Sequence, residues 1–448
     1  MEIGFKLNRE NIIKTLEIDY LNRNRYLSGL INILNNINDS KIIALDGDWG
    51  SGKTWFLKSL EYLMTCENEK KYINIDNDML KKTKEEYMVF YYNAWENDDA
   101  PSAMLSLLYK LINDTYLQSK QKITKNAVNI FNSLVKFATA GKIDIKQYLL
   151  NEEWDNKQVT DSIKTSEEIK EDFKKAIAEL LQVLSKNKML IIIDEIDRCK
   201  PTFAIDLLEN IKHFFDDDRI VFVIGTNNRQ LSSVVQKVYG DKYDGSTYLD
   251  KFFDMNLELP NNYMETYIDK ILKGTPLDIN NYINYYNEIA KYYNLTMREY
   301  NRYINSLNLL QKSIDNIKDV YGFSMFIPLS IKYIFLPIAL CLKIINKDKY
   351  YAFISGNLFE EILPLINTNK LFSTLPRQIC LNKDEHIFDD IKELDITEED
   401  KSQKIKDKSI QILKEVYVDL FVNCLNDTEK YDYKSNLIKI FDVISMMR

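Results

Sequence analysis

A phosphate-binding loop is the first chemical feature of this sequence. The spacing G-x-x-x-x-G-K-[ST] is matched in full by Gly47-Asp48-Trp49-Gly50-Ser51-Gly52-Lys53-Thr54. The chain has only 12 glycines in 448 residues, yet three of them lie in this window. Glycines let the backbone curl until several N–H groups point at one anion, and the positive end of a following helix strengthens that attraction. In such a loop Lys53 meets the β- and γ-phosphates of a nucleotide, and Thr54 offers its hydroxyl to Mg²⁺.

An acidic pair forms the second candidate site. The fully apolar run Met189–Ile193 ends in Asp194 and Glu195. This arrangement suits nucleotide hydrolysis, because one carboxylate can hold the shell of Mg²⁺ while its neighbour orients a water molecule. We assign Asp194 to the metal and Glu195 to the water. The alternative is a strand that ends in a solvated acidic turn, and the phosphate-binding loop in the same chain argues against it.

Two further places offer polar groups to a nucleotide. Asn227 follows a strand candidate, Ile220–Ile224, and an amide there can touch the attacking water or the γ-phosphate. As an isolated feature, Asn at such a position is more often a turn former. Arg298 and Arg302 lie four residues apart and so share one face of a helix. They could reach a phosphate across a domain boundary, with solvent exposure as an equal alternative.

Strands and helices alternate around these residues. The strand candidates are Lys41–Asp46, the first part of Tyr87–Glu96, Met189–Ile193, Ile220–Ile224 and Phe253–Leu259. Helical spacing runs from Thr54 to Met64, and a polar linker then leads to the second strand. The alternation predicts an α/β fold with a mainly parallel sheet, covered on both faces, whose ligand lies at the carboxyl ends of the strands.

The pattern divides the chain into four parts. These are a helical segment (1–40), a nucleotide-binding core (41–262) that contains a helical insertion (100–188), a helical lid (263–345) and a C-terminal helical region (346–448). We therefore expect a three-layer α/β/α core followed by an all-helical lid and C-terminal domain. Residues 382–408 carry dense charge of both signs, which indicates a solvated surface or a loop.

Composition narrows the class of protein. The 67 acidic and 59 basic residues give a net charge of −8, which does not point to nucleic acid as a partner. Five cysteines without C-x-x-C spacing indicate free thiols in a reducing compartment, and two histidines leave little room for His-based metal sites or triads. No N-terminal signal sequence is evident, so the expected location is cytoplasmic.

One apolar segment is long enough to consider as membrane-spanning, Phe323–Leu342. It carries Lys332 near its centre, at a cost of roughly 2.5–3.5 kcal/mol on insertion scales, and it contains two prolines. A buried core helix is the better prediction, and we expect no transmembrane segment.

Together these motifs resemble the KAP family of P-loop NTPases. The resemblance rests on the phosphate-binding loop and on four further segments, which are Phe90-Tyr-Tyr-Asn-Ala-Trp-Glu96, Ile193-Asp-Glu-Ile-Asp-Arg-Cys-Lys-Pro201, Tyr248-Leu-Asp-Lys-Phe252 and Met297-Arg-Glu-Tyr-Asn-Arg-Tyr-Ile-Asn305. The resemblance covers roughly residues 20–345. It implies an additional-strand, catalytic-glutamate P-loop fold related to the AAA+ ATPases, with ATP as the nucleotide.

The same resemblance implies residue roles. Asn227 would be the sensor residue, and Arg298 or Arg302 a lid arginine. Lys251 stands near the position of an arginine finger, for which lysine is a poorer phosphate partner. Two departures from the family stand out. Many members carry transmembrane helices in the insertion, which is expected to be soluble here, and Glu195 replaces the usual second aspartate.

The sequence leaves several functions open. The leading one is a Mg²⁺-dependent ATPase that drives a conformational change in a homo-oligomer or an effector protein. A nucleotide-gated binding module with negligible hydrolysis is the alternative, and a nucleic-acid-dependent motor or a small-molecule kinase is a weaker one. Bacterial family members are often linked to exclusion of phage or plasmids, which is an expectation at the level of the family.

Overall fold

The computed structural model describes residues 6–67, 70–100, 102–119, 166–214, 217–260, 283–321, 329–368, 376–377, 379–381, 386–423 and 433–446. Contacts divide the chain into two units. One unit holds the described residues from 6 to 260, and the other holds those from 283 to 446.

A five-stranded sheet forms the centre of the first unit. Its strands are β1 (Lys41–Asp46), β2 (Tyr87–Asn93), β3 (Lys188–Asp194), β4 (Ile220–Thr226) and β5 (Met255–Glu258). They lie in the order β2-β3-β4-β1-β5, and every neighbouring pair is parallel. The prediction of a mainly parallel sheet is therefore confirmed. Because all strands run the same way, their carboxyl ends meet at one edge, where the loop and the acidic pair also lie.

Helices cover both faces of this sheet. They are α1 (Arg9–Ile18), α2 (Asn24–Asn36), α3 (Lys53–Thr65), α4 (Asn77–Glu86), α5 (Ala103–Ser119), α6 (Ser166–Val183), α7 (Pro201–Phe214), α8 (Asn228–Tyr239) and α9 (Gly245–Leu249). Side chains alternate along a strand, so Ile43 and Leu45 pack with α1 to α4 while Ile42 and Ala44 pack with α5 to α8. The unit is thus a three-layer α/β/α structure, as expected.

The structure adds detail to one local expectation for this unit and corrects another. The N-terminal segment forms two helices, because Asp19 adopts a left-handed backbone (φ 52°) at the end of α1. Its carboxylate then accepts hydrogen bonds from the N–H groups of Arg23 and Asn24 at the start of α2. The polar linker before β2 contains α4, whose first turn is capped by the side chain of Asp76. Only two residues of α4 are buried, so its apolar pattern is weak.

The second unit is helical in its described residues, which confirms the expected helical region after the sheet domain. Its helices are α10 (Ile283–Tyr292), α11 (Met297–Tyr321), α12 (Leu336–Ile345), α13 (Lys347–Ile354), α14 (Ile362–Thr368), α15 (Asp389–Lys392), α16 (Glu398–Val418) and α17 (Tyr433–Met446). A π-helical turn, Ile331–Phe335, leads into α12, and nearly every side chain from Ile331 to Leu342 is buried. Residues 398–408 of the charged stretch belong to α16 rather than to a loop, and Thr397 caps the start of that helix.

The predictions of no transmembrane segment and of free thiols apply to both units. Within the described ranges, no helix has both the length and the apolar character needed to cross a bilayer. The cysteines in those ranges, Cys66, Cys199, Cys341 and Cys380, form no disulfide. Residues 120–165 of the predicted insertion lie outside the described residues.

Candidate functional site

The phosphate-binding loop joins the end of β1 to the start of α3. Gly50 and Gly52 have φ values of 86° and 90°, in the left-handed region that glycine adopts without strain. A Cβ atom on Gly47 would lie 3.0 Å from Ser51 Oγ and 3.6 Å from Lys53 Cγ. The loop therefore closes tightly on itself, and its shape depends on glycine at these positions.

Lys53 is the first residue of α3 and is 8% exposed. Its ammonium group donates to the carbonyl oxygens of Gly47 and Asp48, the latter at 3.2 Å. Burial lowers the pKa of Lys53, although the nearby carboxylates of Asp197 and Asp194 oppose that shift. A buried cation that is bound mainly to neutral carbonyls is well prepared to exchange them for anionic oxygens.

Asp194, at the end of β3, is 1% exposed and accepts hydrogen bonds from several donors. Tyr91 Oη donates to Asp194 Oδ2 at 2.9 Å, and the N–H of Glu195 donates to Oδ1 at 2.9 Å. The hydroxyl of Thr54 lies close enough to this carboxylate to favour its ionised form. Burial raises the pKa of Asp194, and these donors counteract the rise. The fold therefore joins Thr54 to Asp194, the two residues predicted to hold the metal.

Glu195 follows directly and has a left-handed backbone (φ 62°), which is uncommon for a residue other than glycine. Its Oε1 pairs with Arg198 Nη1 at 2.6 Å, and its Oε2 accepts a hydrogen bond from Asn93 Nδ2 at 3.3 Å. Burial raises the pKa of Glu195, and the positive charge of Arg198 opposes that rise. Both carboxylate oxygens are therefore engaged in this structure.

Trp49 connects the loop to the turn that follows β3. Its indole Nε1 donates to Asp197 Oδ2 at 2.5 Å, while the side chain remains 47% exposed. Asp197 itself is buried. This hydrogen bond holds the middle of the phosphate-binding loop beside the acidic residues, which adds a contact that the spacing alone does not predict.

Asn227 lies at the end of β4, where its side chain caps α8 by accepting a hydrogen bond from the N–H of Gln230 at 3.1 Å. The capping role agrees with the turn-forming alternative. Next to it, the N–H of Asn228 donates to Asp46 Oδ1 at 2.8 Å. The predicted contact of Asn227 with water or a γ-phosphate stays a prediction.

The residues around the loop fit a nucleotide with Mg²⁺. Ser51 Oγ is buried and has no hydrogen-bond partner within the described part of the chain, which leaves a polar atom in the loop for a ligand or water. Thr54 and Asp194 supply a hydroxyl and a carboxylate, and oxygen donors are what Mg²⁺ prefers. A site with so few protein ligands suits this ion, because Mg²⁺ usually keeps waters and phosphate oxygens as its other ligands.

Three other predicted residues lie outside the segments that build this cluster. Arg298 and Arg302 are exposed on α11, in the second unit, and their action on a nucleotide stays a prediction. Lys251 follows α9 in the first unit, with its ammonium nitrogen 5.9 Å from the centre of the Tyr248 ring. Its action as a finger toward another subunit also stays a prediction.

Three residues that contact the predicted carboxylates had no individual role in the sequence predictions. They are Tyr91, Asn93 and Arg198. The signal for them lay in the segments Phe90–Glu96 and Ile193–Pro201, which carried the family resemblance. Within those segments nothing distinguishes the residues that face the site from their neighbours. The pairing of Asn93 with Asp194 across β2 and β3 brings these groups together.

We expect Asp194→Asn to stabilise the nucleotide-free protein at neutral pH. The folded-state pKa of Asp194 is raised, chiefly by burial. Such a group contributes stability below its unfolded pKa and loses it as the pH rises through the folded pKa. Asparagine stays uncharged, can still accept from the N–H of Glu195, and can donate to Tyr91 Oη. The melting temperature, measured against pH without nucleotide, should exceed that of the wild type by a margin that shrinks on acidification.

Asp217→Asn is the matched control for this measurement. Burial works to raise the pKa of Asp217, but hydrogen bonds from Arg219 outweigh it and the pKa is lowered. Arg219 Nη2 lies 2.5 Å from Asp217 Oδ2, so the substitution breaks an ion pair whose carboxylate is buried. This variant should melt below the wild type at neutral pH. A loss of stability in Asp194→Asn as well would contradict the inference that burial dominates at Asp194.

Comparison with known proteins agrees with this architecture. The P-loop domain of the KAP family matches residues 23–314. An uncharacterised protein of Methanocaldococcus jannaschii is 26% identical over 172 residues, covering 31% of this chain and 89% of that protein. The family match includes the loop, the acidic pair and the beginning of the second unit.

Proposed function

Because the chain belongs to the KAP family of P-loop NTPases, we propose that it binds ATP with Mg²⁺ and hydrolyses it. The observation that carries the proposal is the junction between Thr54 and Asp194. The hydroxyl of Thr54, the residue after the phosphate-loop lysine, lies close enough to the carboxylate at the end of β3 to counteract the rise of its pKa, and Glu195 follows that carboxylate directly. Loop, metal ligands and candidate base therefore belong to one cluster.

Each residue then has a defined task. Lys53 binds the β- and γ-phosphates in place of the loop carbonyls, and Thr54 and Asp194 hold the metal ion. Bound Mg²⁺ supplies positive charge that offsets the charge of the phosphates. Glu195 orients the attacking water and accepts its proton, for which the carboxylate must be ionised.

The first experiment tests binding and turnover separately. Titration calorimetry with ATP and with ADP, each with and without Mg²⁺, measures binding by the purified chain. Release of inorganic phosphate measures turnover. We expect Mg²⁺-dependent binding and slow, Mg²⁺-dependent release. Binding without release, under every condition including added partners, would exclude the hydrolytic part of the proposal, and absence of binding would exclude all of it.

Tyr91→Phe tests whether Asp194 serves the metal. The substitution removes the phenol that donates to Asp194 Oδ2. Loss of a group that orients a metal ligand typically weakens metal binding at least tenfold, so we expect the Mg²⁺ concentration for half-maximal activity to rise by about tenfold. Tyr92→Phe is the matched control, because Tyr92 Oη bonds Ser106 Oγ on the other face of β2. An equal response in both variants would contradict the role of Asp194.

A nucleotide-gated binding module is the second candidate. It is favoured by the engagement of both Glu195 oxygens, which compete with a water for this carboxylate in this arrangement. In such a module ATP changes the affinity for a partner and hydrolysis is negligible. Lys53→Ala should then abolish partner binding, whereas Glu195→Gln should preserve it. If neither substitution changes the partner complex, this candidate fails.

We extend the proposal to an assembly that responds to the nucleotide. The partner is a second copy of the chain or an effector protein, and a role in bacterial defence against phage follows from the resemblance to the family. Mass photometry with and without ATP tests nucleotide-dependent assembly. Turnover with and without DNA or RNA at a stated salt concentration tests the weaker nucleic-acid alternative, which the net charge of −8 does not favour.

A further inference from the structure

Arg198 occupies the end of a tight turn that begins at Glu195. The left-handed backbone of Glu195 (φ 62°) starts this turn, and the N–H of Arg198 donates to the carbonyl oxygen of Glu195 at 3.1 Å. The turn brings the guanidinium back over the Glu195 carboxylate, with 2.6 Å between Nη1 and Oε1. An uncommon backbone conformation thus positions an arginine on the predicted base.

The surroundings of Arg198 place it beside the phosphate-binding loop. Its guanidinium carbon lies 5.5 Å from the centre of the Trp95 ring, and 28% of its side chain is exposed. The preceding residue, Asp197, is hydrogen-bonded by Trp49 of the loop. The positive charge of Arg198 is also close enough to act on the pKa of Lys53. Arg198 therefore pairs with Glu195 and belongs to a turn that the phosphate-binding loop contacts through Trp49.

The negative charge of the available partner determines whether Arg198 pairs with the Glu195 carboxylate or with a bound phosphate. Without nucleotide, the best anion within its reach is the Glu195 carboxylate. A terminal phosphate brings a higher negative charge and three acceptor oxygens, and guanidinium is the side-chain group best suited to bind phosphate in a bidentate manner. Trp95 provides an aromatic face with which the guanidinium can stay in cation–π contact as it moves.

We propose that Arg198 binds the terminal phosphate of ATP bound to the same chain, and that its ion pair with Glu195 is the position of this side chain without nucleotide. The inference rests on the proposed function. Transfer of Arg198 to the phosphate releases Oε1 of Glu195, which then becomes available to the attacking water. ADP lacks the terminal phosphate and leaves the ion pair intact. The base is thus freed only when there is a phosphate to hydrolyse.

Binding of a non-hydrolysable ATP analogue and of ADP tests this inference. In Arg198→Ala we expect affinity for the ATP analogue to fall by about 10- to 100-fold, the effect of losing a charged hydrogen bond, with ADP affinity within about twofold of the wild type. Arg198→Lys keeps the charge but loses the planar guanidinium. Its affinity for the ATP analogue should lie between those of the wild type and of Arg198→Ala. Thermal melts of both variants show whether each is folded, and the lysine variant remains informative if the alanine variant is not.

Lys200→Ala is the matched control. It removes a positive charge from the same segment, but Lys200 pairs with Asp98 and Asp99 on the exposed side. Its ratio of ATP-analogue to ADP affinity should equal that of the wild type. An Arg198→Ala protein that keeps this ratio, while the wild type binds and hydrolyses ATP, overturns the inference and leaves the proposed function standing. Failure of the wild type to bind either nucleotide overturns both.

Discussion

Lys53→Ala is expected to lower the affinity for ATP by about 100-fold and to reduce turnover below detection. A charged hydrogen bond contributes roughly 1.5–3 kcal/mol, and Lys53 is predicted to meet two phosphate groups. The protein should remain folded, because burial already disfavours the charged form of Lys53 and, among the residues that the structure describes, its ammonium group donates hydrogen bonds only to loop carbonyls. Calorimetry with ATP and Mg²⁺ measures the change in affinity, and phosphate release measures turnover.

Lys41→Ala serves as the control for this variant. Lys41 stands at the opposite end of β1 from the loop, where it pairs with Asp39 at 2.6 Å. It carries the same charge, so a general electrostatic effect would appear in both variants. Only Lys53→Ala should lose affinity. If its affinity for ATP stays within about threefold of the wild type, the assignment of the loop as the phosphate site is wrong.

Glu195→Gln should separate binding from hydrolysis. General-base catalysis is typically worth about 10²- to 10⁴-fold, so turnover should fall by that factor while affinity for ATP is kept or increased. Glutamine can still accept the hydrogen bond from Asn93, but it cannot take a proton from water. Single-turnover phosphate release measures the rate, and calorimetry measures the affinity.

The pH dependence gives an independent check on Glu195. Burial raises the pKa of this carboxyl while Arg198 opposes the rise. A base must be ionised, so kcat/KM of the wild type, which reports the nucleotide-free protein, should decrease as the pH falls through that pKa, and the decrease should begin at higher pH in Arg198→Ala. The residual turnover of Glu195→Gln should lack this acidic limb. An unchanged rate of phosphate release in Glu195→Gln would instead indicate that another carboxylate of the cluster acts as the base.

Several parts of the site could be predicted because they depend on neighbours in the sequence. Gly50 and Gly52 adopt backbone angles that favour glycine, and Lys53 follows them at the start of a helix. The apolar run before Asp194 forms a buried strand whose end carries the acidic pair. Spacing and residue type are sufficient here, since each feature is complete within a short stretch of chain.

Two helices, α4 and α16, were not predicted because their local sequence patterns are weak. The helix α4 buries only Leu80 and Thr83, so its polar surface resembles a linker. The capping residue Asp76 was a usable signal, but capping residues are equally common in turns. The high density of charged residues at the start of α16 likewise hid its helical pattern, although Thr397 caps this helix. In both cases a few buried side chains and a cap are enough for a helix that packs on an existing core.

By itself, the sequence determined the phosphate-binding loop, the strand that ends in Asp194 and Glu195, and the alternation that builds a parallel sheet. Only the tertiary structure decided which side chains hydrogen-bond the carboxylates of Asp194 and Glu195. Tyr91 reaches Asp194, Asn93 reaches Glu195, and Trp49 reaches Asp197, although each pair is far apart in the sequence. Strand order and register set the first two contacts, because a shift of one residue along β2 would turn Tyr91 and Asn93 to the opposite face of the sheet.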